Sequence, residues 1–154
     1  MVDNAQKVRG TKRTNPKSVE RLSKANYKFD VYGDTWQLDA NTTLNLELLT
    51  PLKLTPKFAE SFRLVLADYA AEFSSNYTRN IFSYSRLLFD TGVTDRVNEK
   101  HIINFKSSLI KSTEYKLGYI RAFLLDWHDK EIKGVDDNAV ELLTSLKLSG
   151  NEKG

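Results

Sequence analysis

Between residues 55 and 146, apolar side chains recur every three to four positions in five successive runs, a period that fits a set of short packed helices. The first run has the sharpest start, with Thr55 as N-cap, Pro56 at the first helical position, and Phe58, Phe62, Val65, Leu66, Tyr69 and Phe73 along one stripe. A second helix is expected from Ser75 to about Asp90, with Tyr77, Ile81, Tyr84 and Leu88 on its apolar face and Thr91-Gly92 as its stop. Thr94 or Asp95 opens a third, carrying Val97, Ile102, Ile103, Phe105 and Leu109. Ser112 or Thr113 caps a fourth through about Glu131, with Leu117, Ile120, Phe123, Leu124 and Trp127 as its stripe and Gly134 closing it. A short fifth, from about Asp136 to Leu146, carries Val140, Leu142, Leu143 and Leu146. The expected fold is mainly α, a small four-to-five-helix bundle over residues 55–148 with short connections.

Two other textures precede the bundle. Residues 29–54 read as a short β-like or extended segment: Trp36/Leu38 and Leu44/Leu46/Leu48 alternate with period two, and Asp39-Ala40-Asn41 offers a turn between them. Residues 1–28 show almost no apolar spacing and are expected to be a flexible arm. That arm is basic, with Lys7, Arg9, Lys12, Arg13, Lys17, Arg21, Lys24 and Lys28 against Asp3 and Glu20, a net +6 that leaves the other 126 residues at −3. Such asymmetry points to a polyanionic partner.

Several function classes are disfavoured. The chain has no cysteine, which removes disulfides, thiolate nucleophiles and Cys-based metal sites. No apolar stretch approaches the ~20 residues of a membrane helix, and charges stand where a secretory signal needs its apolar region, so a cytoplasmic protein without a membrane partner is expected. His101 and His128 fall on different helices without a metal-binding pairing and read as surface or boundary residues. Neither GxGxxG nor GxxxxGK[ST] occurs. Neither a catalytic site nor a cofactor is expected in this chain.

The second and fourth helices begin with clusters of hydrogen-bonding and basic residues, Ser74-Ser75-Asn76-Tyr77-Thr78-Arg79-Asn80 and Lys111-Ser112-Thr113-Glu114-Tyr115-Lys116, the latter followed by Tyr119 and Arg121. Both have the chemistry of phosphate and base-edge contacts, although each is also compatible with an ordinary solvated helix start.

Three stretches carry a resemblance: RLLFDTGV (86–93), VTDRVNEKHIINFKSSL (93–109) and STEYKLGYIRAFLLDWHDKEIKGVDD (112–137). With the amphipathic helix before them, residues 54–146 resemble the SAM-like core-binding domain of phage-integrase-type tyrosine recombinases, over about three fifths of the chain. The resemblance implies half of a clamp around double-stranded DNA at a recombination site, with other recombinase subunits on the same DNA. It places Tyr77, Arg79, Asn80, Ser83 and Arg86 toward DNA, together with Lys111, Thr113, Tyr115, Lys116, Tyr119 and Arg121. The Arg, Lys, His-x-x-Arg and tyrosine nucleophile of that family's catalytic domain have no counterpart here, so residues 149–154 read as a linker toward a missing C-terminal domain and the fragment as non-catalytic. The alternative reading is a helical protein–protein interaction or regulatory module docking a partner helix on an exposed Phe82 or Phe89 side.

Overall fold

The computed structural model describes residues 18–148. Lys7, Arg9, Lys12, Arg13 and Lys17 of the expected basic arm, and the expected linker 149–154, lie outside the described residues. Four strands come first: β1 (Glu20–Leu22), β2 (Lys28–Asp30), β3 (Thr35–Asp39) and β4 (Thr42–Asn45). Five α-helices follow: α1 (Pro56–Glu72), α2 (Ser75–Phe89), α3 (Glu99–Ser107), α4 (Tyr115–Asp129) and α5 (Asp137–Ser145). The protein is mainly helical, and among the described residues no helix is long and apolar enough to cross a membrane.

β1 and β2 form one antiparallel pair, in register Arg21 opposite Phe29; β3 and β4 form another, with Trp36 opposite Leu44. The expected turn at residues 39–41 therefore sits where the alternation placed it. Residues 18–28 depart from the expectation of a flexible arm. Asn26 takes a left-handed φ of 71° in the β1–β2 connection, and the Lys24 N–H donates to the Ala70 carbonyl of α1 at 2.9 Å. Arg21 pairs with Asp68 at 3.0 Å, so part of the positive charge assigned to the arm belongs to the folded body.

The strands are no separate layer, because Phe29, Val31, Trp36, Leu38 and Leu44 join the same buried cluster as the helices. Arg63 of α1 ties them down, donating to the Val31 and Gly33 carbonyls at 2.8 and 2.7 Å. Leu46 and Leu48 do not extend β4 as the alternation suggested. Residues Leu46–Leu49 form a 3₁₀ turn, whose three-residue period buries Leu46 with Leu49 and leaves Leu48 exposed.

α1 starts as expected, with the Thr55 hydroxyl accepting from the Phe58 N–H at 3.2 Å. Phe62 lies at the centre of the bundle, with ring centroids 4.9 Å from Phe89, 5.8 Å from Phe123 and 6.2 Å from Trp127. α3 starts later than expected, with Asn98 as its cap, and a box closed by His101: Asn98 Oδ1 accepts the His101 N–H while His101 Nδ1 accepts the Asn98 N–H. Thr94 and Asp95 open no helix because the following segment is held extended. The Val97 N–H donates to the Gly134 carbonyl and the Asp136 N–H to Val97, at 2.8 and 2.9 Å. α4 also starts later than either Ser112 or Thr113. A 3₁₀ turn over Lys111–Thr113 intervenes, and the Thr113 hydroxyl closes it on Ile110.

Candidate nucleic-acid interface

α2 and α4 lie side by side and antiparallel, since Tyr77 near the start of α2 meets Tyr119 in the middle of α4, while Tyr84 further along α2 meets Tyr115 at the start of α4. Ser74 fixes the beginning of α2 by accepting from the Tyr77 N–H at 3.1 Å. The result is an unbroken run of rings along the seam. Tyr69 stacks on Tyr77 at 6.2 Å with 9° between planes, and Tyr77 lies 5.2 Å from Tyr119. Tyr119 in turn lies 5.4 Å from Tyr84 and 6.3 Å from Tyr115. Tyr77, Tyr84 and Tyr119 are half-buried, while Tyr115 is exposed. These rings form the border between the core and the surface.

Burial holds the Tyr77 phenol above its ordinary value, with the neighbouring Tyr119 and Asp126 adding to the effect. Tyr84 is pushed up to about 12, first by burial and then by its hydrogen bond with Tyr115. Both rings are therefore neutral hydrogen-bonding groups at physiological pH. Lys116 extends its ammonium over the Tyr84 ring, 5.6 Å from the centroid, which adds positive charge to this aromatic seam. The sequence of α2 contains no carboxylate, and that of α4 contains none before Asp126. Asp126 accepts from Tyr69 at 2.6 Å, and Glu114 stands 3.9 Å from Lys106.

Of the residues singled out from the sequence, Tyr77, Tyr115, Tyr119 and Arg121 meet around one open hollow of about 280 Å³ that also exposes Gly118. Lys116 joins them through Tyr84. Arg79 is exposed on α2 and bonded to the Asn76 side chain, with Asn80 and Ser83 half-buried on the same helix. Arg86 turns elsewhere, its guanidinium 5.7 Å from the Phe82 centroid and its Nε buried. Lys111 is exposed on the 3₁₀ turn, while the Thr113 hydroxyl is committed to Ile110. Arg121 has a structural task as well, donating to the Leu146 carbonyl at 2.8 Å and so fastening the end of α5. Tyr84 and Gly118 were not among the sequence candidates. Tyr84 read as core because its spacing matches Ile81 and Leu88, and nothing local marks Gly118.

Other concavities are present among the described residues. One, about 410 Å³, lies at the start of α1 and mixes Lys57, Arg96 and Lys133 with Asp95 and Asp136; Arg96 and Asp136 are paired at 3.2 Å. Another, about 530 Å³, runs between the end of α2 and the end of α3, past Leu87, Phe105, Leu109 and Ile110. The expectation that Phe82 or Phe89 offers a docking side does not hold, because both are buried in the core. The exposed apolar residues near that end are instead Leu87, Ile103 and Ile110. Among the described residues, no cluster of three or more His, Asp or Glu side chains is placed to hold a metal ion. No protein-family model matches this chain, and no curated protein or solved structure matches it.

Proposed function

We propose that this chain binds double-stranded DNA through the exposed face of α2 and α4, as the non-catalytic, clamp-forming N-terminal part of a SAM-like tyrosine recombinase acting with other subunits on the same DNA. The observation that carries the reading is the seam itself. Two helix segments free of carboxylates bring neutral tyrosines together with Lys116 and Arg121, and Arg79 is a further exposed cation of α2. Phosphates are attracted by the cations, and sugar edges and thymine methyl groups have aromatic surface to contact. Residues 18–148 hold seventeen lysines and arginines against eighteen aspartates and glutamates, a net −1, so attraction to a polyanion must be local to such a face. Residues 1–17 carry five basic side chains against Asp3 and supply a second, sequence-independent contribution.

Fluorescence anisotropy with a mixed-sequence duplex tests this, using the whole chain and a chain beginning at residue 18, which spares β1. Binding should weaken steeply with salt and persist, less tightly, without residues 1–17. Arg79→Ala with Lys116→Ala should lower the slope of log affinity against log salt by about two, with helix content retained. Unchanged affinity and slope in that double variant would refute this face. A second reading, a protein interaction module, is favoured by the apolar groove beside Leu87 and Ile110. It requires salt-insensitive binding of a partner and none of DNA.

A further inference from the structure

The hollow on the α2–α4 seam has a shape that general phosphate attraction does not require. Tyr115, Gly118 and Tyr119 occupy positions i, i+3 and i+4 of α4 and so share one face, and Tyr77 borders the open hollow from α2. Glycine in a helix interior weakens the helix relative to alanine. At Gly118 no unusual backbone compensates for this, since the positive φ values among the described glycines belong to Gly92 and Gly134. What Gly118 does provide is a stretch of the hollow's lining that carries no side chain.

Those rings are not stacked flush. Tyr119 is tilted 44° to Tyr77 and 73° to Tyr115, so ring faces and edges alternate along a shallow, open notch with Arg121 at its rim. At about 280 Å³ the notch is below the usual range for drug-sized ligands, and its scale suits one planar ring system.

We propose that this notch receives a single unpaired nucleobase of the bound DNA, stacked on the exposed Tyr115 ring over Gly118, with Tyr77 and Tyr119 meeting its edge. The inference rests on the DNA-binding reading and adds a preference to it. A base inside an intact duplex keeps its faces covered by its neighbours, whereas an extrahelical base presents both faces. An aromatic surface recognises such a face without regard to sequence, and the cation at the rim complements a phosphate flanking it. The tyrosines bring no negative charge to oppose those phosphates.

The test compares the full chain on two duplexes of the same sequence, one fully paired and one carrying a single extrahelical 2-aminopurine. The bulged duplex should bind about tenfold more tightly, and 2-aminopurine fluorescence should fall on binding as the base stacks. Gly118→Leu, which fills the notch, should bring the affinity ratio close to one and abolish the quench. Tyr115→Ala, at an exposed wall, should reduce both and provides a check independent of the glycine. Arg79→Ala with Lys116→Ala should weaken binding of both duplexes while the ratio persists. Equal affinity for the two duplexes would overturn the notch and leave DNA binding standing, as would a preference that survives Gly118→Leu in a folded protein. Binding of neither duplex would overturn both readings.

Discussion

Replacing Gly134 by alanine should be among the most damaging single-methyl changes in this protein, for two separable reasons. Gly134 has φ +144°, a conformation that costs an L-residue roughly 1–3 kcal/mol. In addition, a Cβ there would lie 2.5 Å from Trp127 Cζ2 and 2.9 Å from Cε2, against the ~3.5–4.0 Å of ordinary carbon contacts. The indole has little freedom to retreat. It is fully buried, with Phe58 at 5.1 Å and Phe123 at 5.9 Å, and its Nε1 donates to the Lys133 carbonyl at 3.2 Å. Overpacking of this kind costs about 1–3 kcal/mol, so the total is about 2–6 kcal/mol, a large share of the ~5–15 kcal/mol that holds a domain together. Gly92→Ala isolates the first cause, because Gly92 has φ +117° and no atom within 4 Å of the added carbon. Urea unfolding followed by far-UV circular dichroism should therefore show Gly134→Ala losing about 1–3 kcal/mol more than Gly92→Ala. Equal losses in the two variants would refute the close packing of this loop on Trp127.

Tyr69 donates to Asp126 at 2.6 Å, and Tyr69→Phe should cost about 1–2 kcal/mol at neutral pH, the low end for a bond to a charged group because the exposed Asp126 carboxylate can rehydrate. Burial, then the Asp126 hydrogen bond and charge, raise the Tyr69 phenol in the folded state. Its contribution is fully present below the unfolded value of about 10 and declines as pH rises beyond it. Urea midpoints across that range should fall less steeply in Tyr69→Phe; an identical alkaline decline would contradict the assignment. Asp68 bridges Arg21 of β1 and Lys130 after α4, at 3.0 and 3.2 Å. Since all three side chains are about a third exposed, Asp68→Asn should lower stability by only about 1 kcal/mol at low salt, and by much less near 1 M salt, as read from thermal midpoints at the two salt concentrations.

The parts of the fold that were legible in the sequence are those fixed by neighbours in the chain. Thr55 and Pro56 cap α1 through contacts within four residues, and Trp36 and Leu44 show their shared face by alternation. Where a distant segment decides, the local signal misleads. Thr94 and Asp95 look like helix caps, yet backbone bonds between Val97 and residues 134–136 keep this stretch extended until Asn98. His101 then takes the boxing role usually filled by Glu or Gln, so its pairing with Asn98 is easily overlooked. β1 was hidden for the same reason. Its side chains alternate too briefly to register, and its place is secured by β2, the Ala70 carbonyl and Asp68.

The site was legible in its residue types but not in its arrangement. Spacing assigns Tyr77 and Tyr84 to the apolar side of α2 and Tyr115 and Tyr119 to the polar start of α4, and the structure reconciles the two by placing the seam of the helices at the surface. A ring at such a border buries one part against the core and keeps its remaining edge in solvent, so the same tyrosine holds the helices together and remains available to a ligand. The cations are not all equally available. Arg121 serves the Leu146 carbonyl, Arg86 lies over Phe82, and Arg79 and Lys111 remain exposed. Counting basic residues therefore overstates the charge available to phosphate, while discounting aromatics at helical spacing removes the residues that shape the seam. It follows that substitutions at Arg79 and Lys116 should act on affinity and salt dependence, whereas changes at Tyr115 and Gly118 should act on which DNA is preferred.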